Sequence, residues 1–378
     1  MAEGATITVS NLERLAQLQE MPKAELHVHL DGSIPAEIVF SWWQKLSKPI
    51  LLPEKDRDGN LIVYSSYQDR IVSSPEELKR YWANWTKYSI PDRFGVVTEH
   101  MQTPENLRNI AKTHVLDLAE QNIVYAETRF APQYSIFGGL SMPDVVKYTL
   151  QGLQQGMDEA RQNGKDILVK LIVCIGREAK EDVGVQVAKA ALEYQGMGVV
   201  ALDLACYEPT FPPERHARAF QETFGTGLKR TVHAGEMMKT SHENMRNIYS
   251  AIQFLRADGI GHGIPLSQRY YMNGETDVLQ MVKDRGIRVE ANPISNLYLG
   301  FIDTPSDLHL DQLLKAGVLV TVNSDDPAMW PKGTLAHNLY VAEELYGRDA
   351  MLELNRNAIR AAFGLTDVEK KAMLAKFY

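Results

Sequence analysis

Short β-branched, apolar runs alternate with amphipathic stretches along most of this 378-residue chain, the pattern that parallel strands joined by crossover helices produce. Eight runs read as strands, at positions 24–29, 123–129, 167–174, 198–204, 229–233, 259–262, 287–290 and 318–323. Between them, stretches 106–121, 142–163, 177–194, 214–224 and 244–256 carry apolar residues at helical spacing and are long enough for crossovers. Eight strands so connected predict an α/β fold, a (β/α)8 TIM barrel. The gap from 34 to 122 is too long for one crossover and reads as a helical insertion near the barrel mouth, with 42–100 as a lid-like segment. After the eighth strand, "HNLYVAEELYG" and "MLELNRNAIRAAFG" read as terminal helices, with Gly364 as a stop signal. No linker or low-complexity tract interrupts the chain, so residues 1–378 are expected to form a single barrel domain.

Composition narrows the picture only a little. With 44% hydrophobic and 23% charged residues the chain can bury a large core, and its net charge of -8 with no concentrated basic run argues against nucleic acid or an anionic membrane as partner. Two cysteines, Cys174 and Cys206, provide no disulfide framework. The first twenty residues lack a basic region followed by an apolar one, so a cytoplasmic protein is expected.

Candidate chemistry lies at the strand ends. The first strand closes in "HVHLDGS", and the two-residue period puts His27 and His29 on one inward face, within reach of one ion. Strand five ends in "TVHAGE", bringing His233 and then Glu236. Strand eight ends in "TVNSDDP", bringing Asp325 and Asp326. Barrel enzymes build their sites at these C-terminal ends. Three imidazoles and a carboxylate suit Zn²⁺, with Fe²⁺, Co²⁺ and Mn²⁺ also compatible, and one zinc per subunit is expected. Strand six ends in "GIGHGIP", where His262 stands between glycines that leave its ring room; with four ligands already present, it is read as orienting or deprotonating the attacking water. The other six of the ten histidines fall in helical or loop stretches and read as packing or surface residues.

The motifs "HVHLDGS", "HAGE", "GHG" and "SDDP", in that order at strands one, five, six and eight, resemble the adenosine deaminase family of metal-dependent amidohydrolases. The resemblance runs essentially end to end. It implies that His27, His29, His233 and Asp325 hold zinc, Glu236 protonates N1 of a 6-aminopurine, His262 handles the water, Asp326 hydrogen-bonds N7 and Asp31 holds the ribose 5′-hydroxyl. The implied reaction is hydrolytic deamination of adenosine or a related purine nucleoside to the inosine-type product and ammonia. Alternatives are the same chemistry on N6-methyl-AMP, 5′-methylthioadenosine, aminodeoxyfutalosine or adenine, or another metal-dependent hydrolase on the same barrel. A two-metal phosphoesterase or lactonase would want a bridging carboxylate or modified lysine at strand four, and none is evident there.

One departure from the family pattern bears on substrate choice. Where the family reads Asp-Leu-Ala-Gly-Asp-Glu, this chain reads "DLACYE", placing Cys206 at the glycine whose N–H meets purine N3 and Tyr207 at a small acid; a reshaped pocket is one outcome, Cys206 turned away the other. Strand seven ends in "EANPISN", with Asn292 where a cysteine is expected, a difference to which no function attaches. Within the insertion, Leu78, Trp82 and Trp85 fall at i, i+4 and i+7, one helical stripe. Core packing is the ordinary meaning of such a stripe, but next to a metal-binding strand it is read here as an apolar lid, with Trp82 and Trp85 closing over the purine.

Overall fold

Parallel strands covered on both faces need nearly continuous apolar sequence, and the strand "LVKLIVCIG" meets that demand, its last six residues all buried. The computed structural model describes residues 9–268, 270–272, 274 and 276–377. Eight parallel strands line up in chain order: β1 (Lys23–His29), β2 (Ile123–Phe130), β3 (Leu168–Gly176), β4 (Val199–Ala205), β5 (Lys229–Ala234), β6 (Gly259–His262), β7 (Arg288–Ala291) and β8 (Val320–Val322). The ring closes through a parallel bridge between Val28 and Asp325, where Asp325 N donates to His27 O at 2.9 Å and His29 N to Asp325 O at 2.8 Å. Backbone of the candidate ligands therefore seals the barrel. The eightfold barrel is as expected, with strand boundaries shifted by at most two residues.

Crossover helices Pro104–Glu120 and Met142–Gln162 start where the sequence supplies a cap. Thr103 and Ser141 accept from the N–H groups of Asn106 and Asp144, with proline in the first turn. Three expectations need correction. The third crossover begins at Glu181, not 177, and Arg177 is a buried loop residue. The fourth is reduced to a short turn of 3-10 helix, Pro213–His216, followed by Ala217–Gln221. Gly364 does not stop the last long helix, which ends at Ala361 where Ala362 turns extended.

The insertion is only partly helical. Helices Ala36–Lys45, Pro75–Ala83 and Ile90–Thr98 are joined by an irregular stretch pinned by a two-stranded ribbon, Ile50–Leu51 against Ile71–Val72; Pro49, Pro53 and Gly59 keep that stretch from continuing a helix. Its buried residues Leu78, Tyr81 and Trp82 share one apolar core with barrel residues such as Leu30 and Val173. Among the described residues no helix is long and apolar enough to cross a membrane.

Candidate active site

Inside the barrel, strand positions 25, 127, 129, 203, 288 and 290 carry charges, all fully or almost fully buried. An unpaired ion there would cost several kcal/mol, so each either finds a partner across the lumen or, like Glu25 beside Ser324, is pushed by burial to a pKa of about 7, where it can hold a proton. Arg129 reaches Asp203 and Glu290, both at 2.8 Å, and Arg288 reaches Glu127 at 2.6 Å and Glu290 at 2.7 Å. Two of these carboxylates also face histidines. Glu290 lies 2.8 Å from His27 Nδ1, and Asp203 lies 3.0 Å from His233 Nδ1. Each carboxylate fixes the proton on Nδ1 and leaves Nε2 with its lone pair, the arrangement that prepares imidazole for a metal.

The prepared atoms converge. His29 Nε2 and His233 Nε2 are 3.2 Å apart, and Asp325 Oδ1 is 3.3 Å from both His27 Nε2 and His29 Nε2. His27 Nε2 is buried with no hydrogen-bond partner among the described residues. Burial pushes the pKa of His29, His233 and His262 down; at His27 burial and Arg129 oppose protonation, but Asp325 and Glu290 outweigh them and raise it. Ring nitrogens facing one another beside a carboxylate oxygen repel unless a cation stands between them, so the donor set fits a borderline divalent metal. Candidate ligand atoms of His27, His233, His262 and Asp325 all lie within 4.8 Å of one another, as do those of His29, Asp325 and Asp326.

His262 belongs to the first of these groups, and its Nε2 also lies 3.5 Å from Glu236 Oε1, with Asp325 Oδ2 at 4.0 Å. Its Nδ1 faces the side-chain amides of Asn292 and Asn296, with nitrogens at 3.2 and 2.9 Å. Asn292, given no role from sequence, thus holds the ring; either amide, turned to present oxygen, would place the proton on Nδ1 and make Nε2 basic. The room expected around His262 from its flanking glycines serves other rings: a Cβ on Gly261 would lie 2.9 Å from His27 Cε1 and 3.3 Å from His233 Cα.

Glu236 is buried, and its pKa is raised well above the carboxylate range, first by burial and then by the charges of Asp325 and Glu208. Its position is set by Glu208, which accepts from Gly235 N at 2.8 Å, Glu236 N at 3.0 Å, Met237 N at 2.9 Å and Asn247 Nδ2 at 3.0 Å. Arg177 braces the same region, donating to the carbonyls of Leu204, Ala205, Phe211 and His233. Glu208 closes the "DLACYE" motif, where sequence assigned it no role, and Arg177 lies outside every motif. Asp31 and Asp326 are buried, each with one carboxylate oxygen that has no hydrogen-bond partner among the described residues. Burial raises Asp31 to about 6, and burial together with Asp325 and Asp31 raises Asp326, against the pull of Arg93. Gly32 is required between them, since a Cβ there would lie 1.9 Å from Asp326 Oδ1.

Three non-glycine residues at the strand ends hold a left-handed backbone: Cys206 (φ 79°), His262 (66°) and Asp325 (63°). Each costs about 1–3 kcal/mol, and such strain persists mostly at functional sites. At Cys206 the φ is the one a glycine would supply. Its sulfur lies 3.7 Å from the Tyr134 hydroxyl, against the small cluster of Ala131, Cys174 and Ala205. Tyr207 is half-exposed, its N–H held by Glu178 at 2.8 Å. The carboxylate that strand four carries, Asp203, is committed to Arg129 and His233 rather than open to bridge two metals.

The lid stripe does not form as read. The helix ends at Ala83, Asn84 leaves helical geometry, and Trp85 falls in the following turn, packed on Gly300 with Arg57 over its ring at 5.2 Å. Trp82 is fully buried, its Nε1 donating to Arg93 O at 3.2 Å. The other histidines keep ordinary roles, such as His114 bonded to Thr128 at 2.8 Å and His100 stacked on Trp42.

Comparison with known proteins agrees with this geometry. The family model described as adenosine deaminase matches residues 22–378. An adenosine deaminase of Mycolicibacterium vanbaalenii is 30% identical over 352 residues, covering 92% of this chain and 91% of that protein. Among solved structures, the N6-methyl-AMP deaminase of Arabidopsis thaliana superposes with a TM-score of 0.74 at 23% identity, covering 96% and 98% of the two chains. An amidohydrolase of Burkholderia ambifaria with bound zinc gives 0.75 at 20% identity, covering 100% and 94%. With its family model matched over nearly the whole length and its histidine and aspartate cluster at the barrel mouth, this chain belongs to the adenosine deaminase family.

Proposed function

We propose that the protein hydrolyses the C6–amino bond of a 6-aminopurine nucleoside, with His27, His29, His233 and Asp325 holding one zinc ion. The observation that carries this reading is a buried, proton-retaining Glu236 beside a convergent set of imidazole nitrogens and the Asp325 carboxylate. Zinc held by these four residues would supply Lewis acidity that brings the pKa of water toward neutrality. Glu236, kept protonated by burial, donates to N1 and makes C6 more electrophilic. His262, held by Asn292 and Asn296, orients the water and takes its proton through Nε2. Asp326, also favoured in its protonated form, donates to N7, and Asp31 accepts from the ribose 5′-hydroxyl. Cys206 presents its N–H to the N3 edge. Once the C6–O bond has formed, His262 returns the water's proton to the amino group, the C6–N bond breaks and ammonia leaves, and the C6 hydroxyl gives its proton back to Glu236, leaving the 6-oxopurine with its proton on N1.

The named relative acts on adenosine and the structural neighbour on N6-methyl-AMP, so the class of substrate is a 6-aminopurine and the choice within it rests on Cys206 and its surroundings. Appearance of the 6-oxopurine product from adenosine, 2′-deoxyadenosine, adenine, N6-methyl-AMP, 5′-methylthioadenosine and aminodeoxyfutalosine tests the reading. Turnover of adenosine or 2′-deoxyadenosine above the others supports it. No turnover of any member by metal-replete protein overturns it.

A further inference from the structure

At the end of the barrel opposite the histidines, the starts of β5, β6, β7 and β8 and the segment after helix Arg348–Ala361 enclose a cleft of about 680 Å³. Its lining carries six cationic residues, Lys229, Arg256, Arg285, Arg288, Arg360 and Lys370, against one carboxylate, Asp258. For a chain of net charge -8 this is a local inversion of sign. Some of the charge is answered nearby: Asp258 lies 3.6 Å from Lys229 but is shared with Arg230 at 2.8 Å, and Glu353 takes Arg360 at 2.6 Å. Three cations have no carboxylate within ion-pair distance among the described residues, although Lys370 feels the charges of Asp367 and Glu127. Arg256 lies over the Phe224 ring at 4.3 Å, Arg285 reaches only the Ile252 carbonyl at 3.5 Å, and Lys370 donates to the Arg360 carbonyl at 2.9 Å.

The floor supplies an independent sign of a ligand. Arg288 is 1% exposed and rests on Phe363, its guanidinium carbon 3.5 Å from the ring centre. Nε serves Glu290, and Nη1 serves Glu127 and the Ala361 carbonyl. Nη2 has no acceptor among the described residues. A buried donor without an acceptor is costly and rare in folded proteins, and this one belongs to a side chain that lines an electropositive cavity of small-molecule size. An acceptor arriving through the cleft would complete the guanidinium while its remaining oxygens met Arg285 and Lys370. Reaching both floor and mouth takes an anion with several charged oxygens in series, and guanidinium groups match phosphate oxygens in both geometry and charge.

We propose that this cleft is a second binding site, separate from the catalytic mouth, for a small oligophosphate: pyrophosphate or the phosphate chain of a nucleoside di- or triphosphate. The test leaves Arg288 alone, because it also holds Glu290, and Glu290 holds His27. Arg285→Gln/Lys370→Gln removes two mouth charges without introducing a repulsive one, and its deaminase activity in the absence of oligophosphate should match the parent's. Calorimetry on the metal-replete protein at constant ionic strength, with metal content followed in parallel, should find saturable binding of pyrophosphate and of ATP. The double variant should bind each at least tenfold more weakly. Comparable affinities for the two ligands assign recognition to the phosphates, and a much tighter ATP adds a nucleoside contact within the same cleft. Absence of saturable binding at millimolar pyrophosphate and ATP overturns the site. So does binding that the double variant leaves intact, or binding that a purine substrate displaces competitively, which would place the anion at the catalytic mouth.

Discussion

Glu208→Gln removes a charge that touches none of the candidate metal ligands, yet it should cost most of the activity. Oε1 accepts from Gly235 N and Asn247 Nδ2, and Oε2 from Glu236 N and Met237 N, all between 2.8 and 3.0 Å. A glutamine presents one oxygen, so whichever way its amide turns, two of the four donors meet an NH₂ group instead of an acceptor. At about 1–3 kcal/mol for each buried donor left unpaired, the turn would carry about 2–6 kcal/mol of strain, and it relieves that strain by moving. The turn is the backbone of Glu236. A shift of about 1 Å at a reacting group costs ~10²-fold in rate, so kcat should fall by roughly that factor, toward but not beyond the ~10²–10⁴-fold that general acid catalysis contributes. Loss of the Glu208 charge also removes one of the influences that raise the Glu236 pKa, so the fall should steepen as pH rises. Steady-state kinetics, metal analysis and a thermal melt on one preparation separate the causes. A variant within twofold of the parent kcat, at full metal occupancy, would show that the turn is held without Glu208; metal loss in step with the rate would mean that Glu208 acts through His233 instead.

Glu236→Gln should retain its metal and lose ~10²–10⁴-fold in kcat; metal analysis showing an empty site would make Glu236 a ligand rather than an acid. Because burial raises the Glu236 pKa, the active, protonated form is present at low pH and is lost as pH rises through that folded-state value, so the parent's kcat should fall on its alkaline side and the glutamine variant's residual rate should lack that limb. Exhaustive chelation should abolish activity and lower the melting temperature, and His233→Ala or Asp325→Ala should lower metal content; full activity in a demonstrably metal-free sample would refute the ligand assignment. Trp82→Ala should destabilise the protein by about 3–5 kcal/mol, as buried tryptophan truncations do, with KM little changed, whereas Trp85→Ala, at a half-buried position, should cost less. A raised KM with an unchanged melting temperature in the Trp82 variant would restore the lid.

The barrel was legible because its strands are short, apolar and punctuated, and the histidines were legible because His27, His29, His233 and His262 all sit where such a run ends. The insertion was less so. Trp82 and Trp85 have helical spacing, and only Asn84, whose side chain accepts from the Thr86 hydroxyl and the Lys87 N–H, decides that the helix stops between them; that is a local competition which periodicity does not weigh. Glu208 and Asn292 stood in quoted motifs but without a role, since what each holds, the Gly235–Met237 turn and the His262 ring, lies at the end of the neighbouring strand rather than at any fixed spacing.

The interior charges of the barrel had a sequence signal of their own, arginines and carboxylates set at alternate positions in otherwise apolar strands, but partners such as Arg129 and Glu290 are 161 residues apart and no spacing rule pairs them. Their inventory is itself informative. In the network that reaches His27 and His233, the carboxylates of Glu127, Asp203, Glu290 and Asp325 face the guanidiniums of Arg129 and Arg288. Four negative groups against two positive ones leave two negative charges in a space closed to water, where charge is expensive to leave uncompensated. Of the four imidazoles only His27 is drawn toward its charged form, by Asp325 and Glu290, while burial holds His29, His233 and His262 toward neutrality, so the rings by themselves answer at most one of the two charges. A divalent cation among the Nε2 atoms answers both, which is a reason for a metal at this position that rests on charge alone and owes nothing to the motifs.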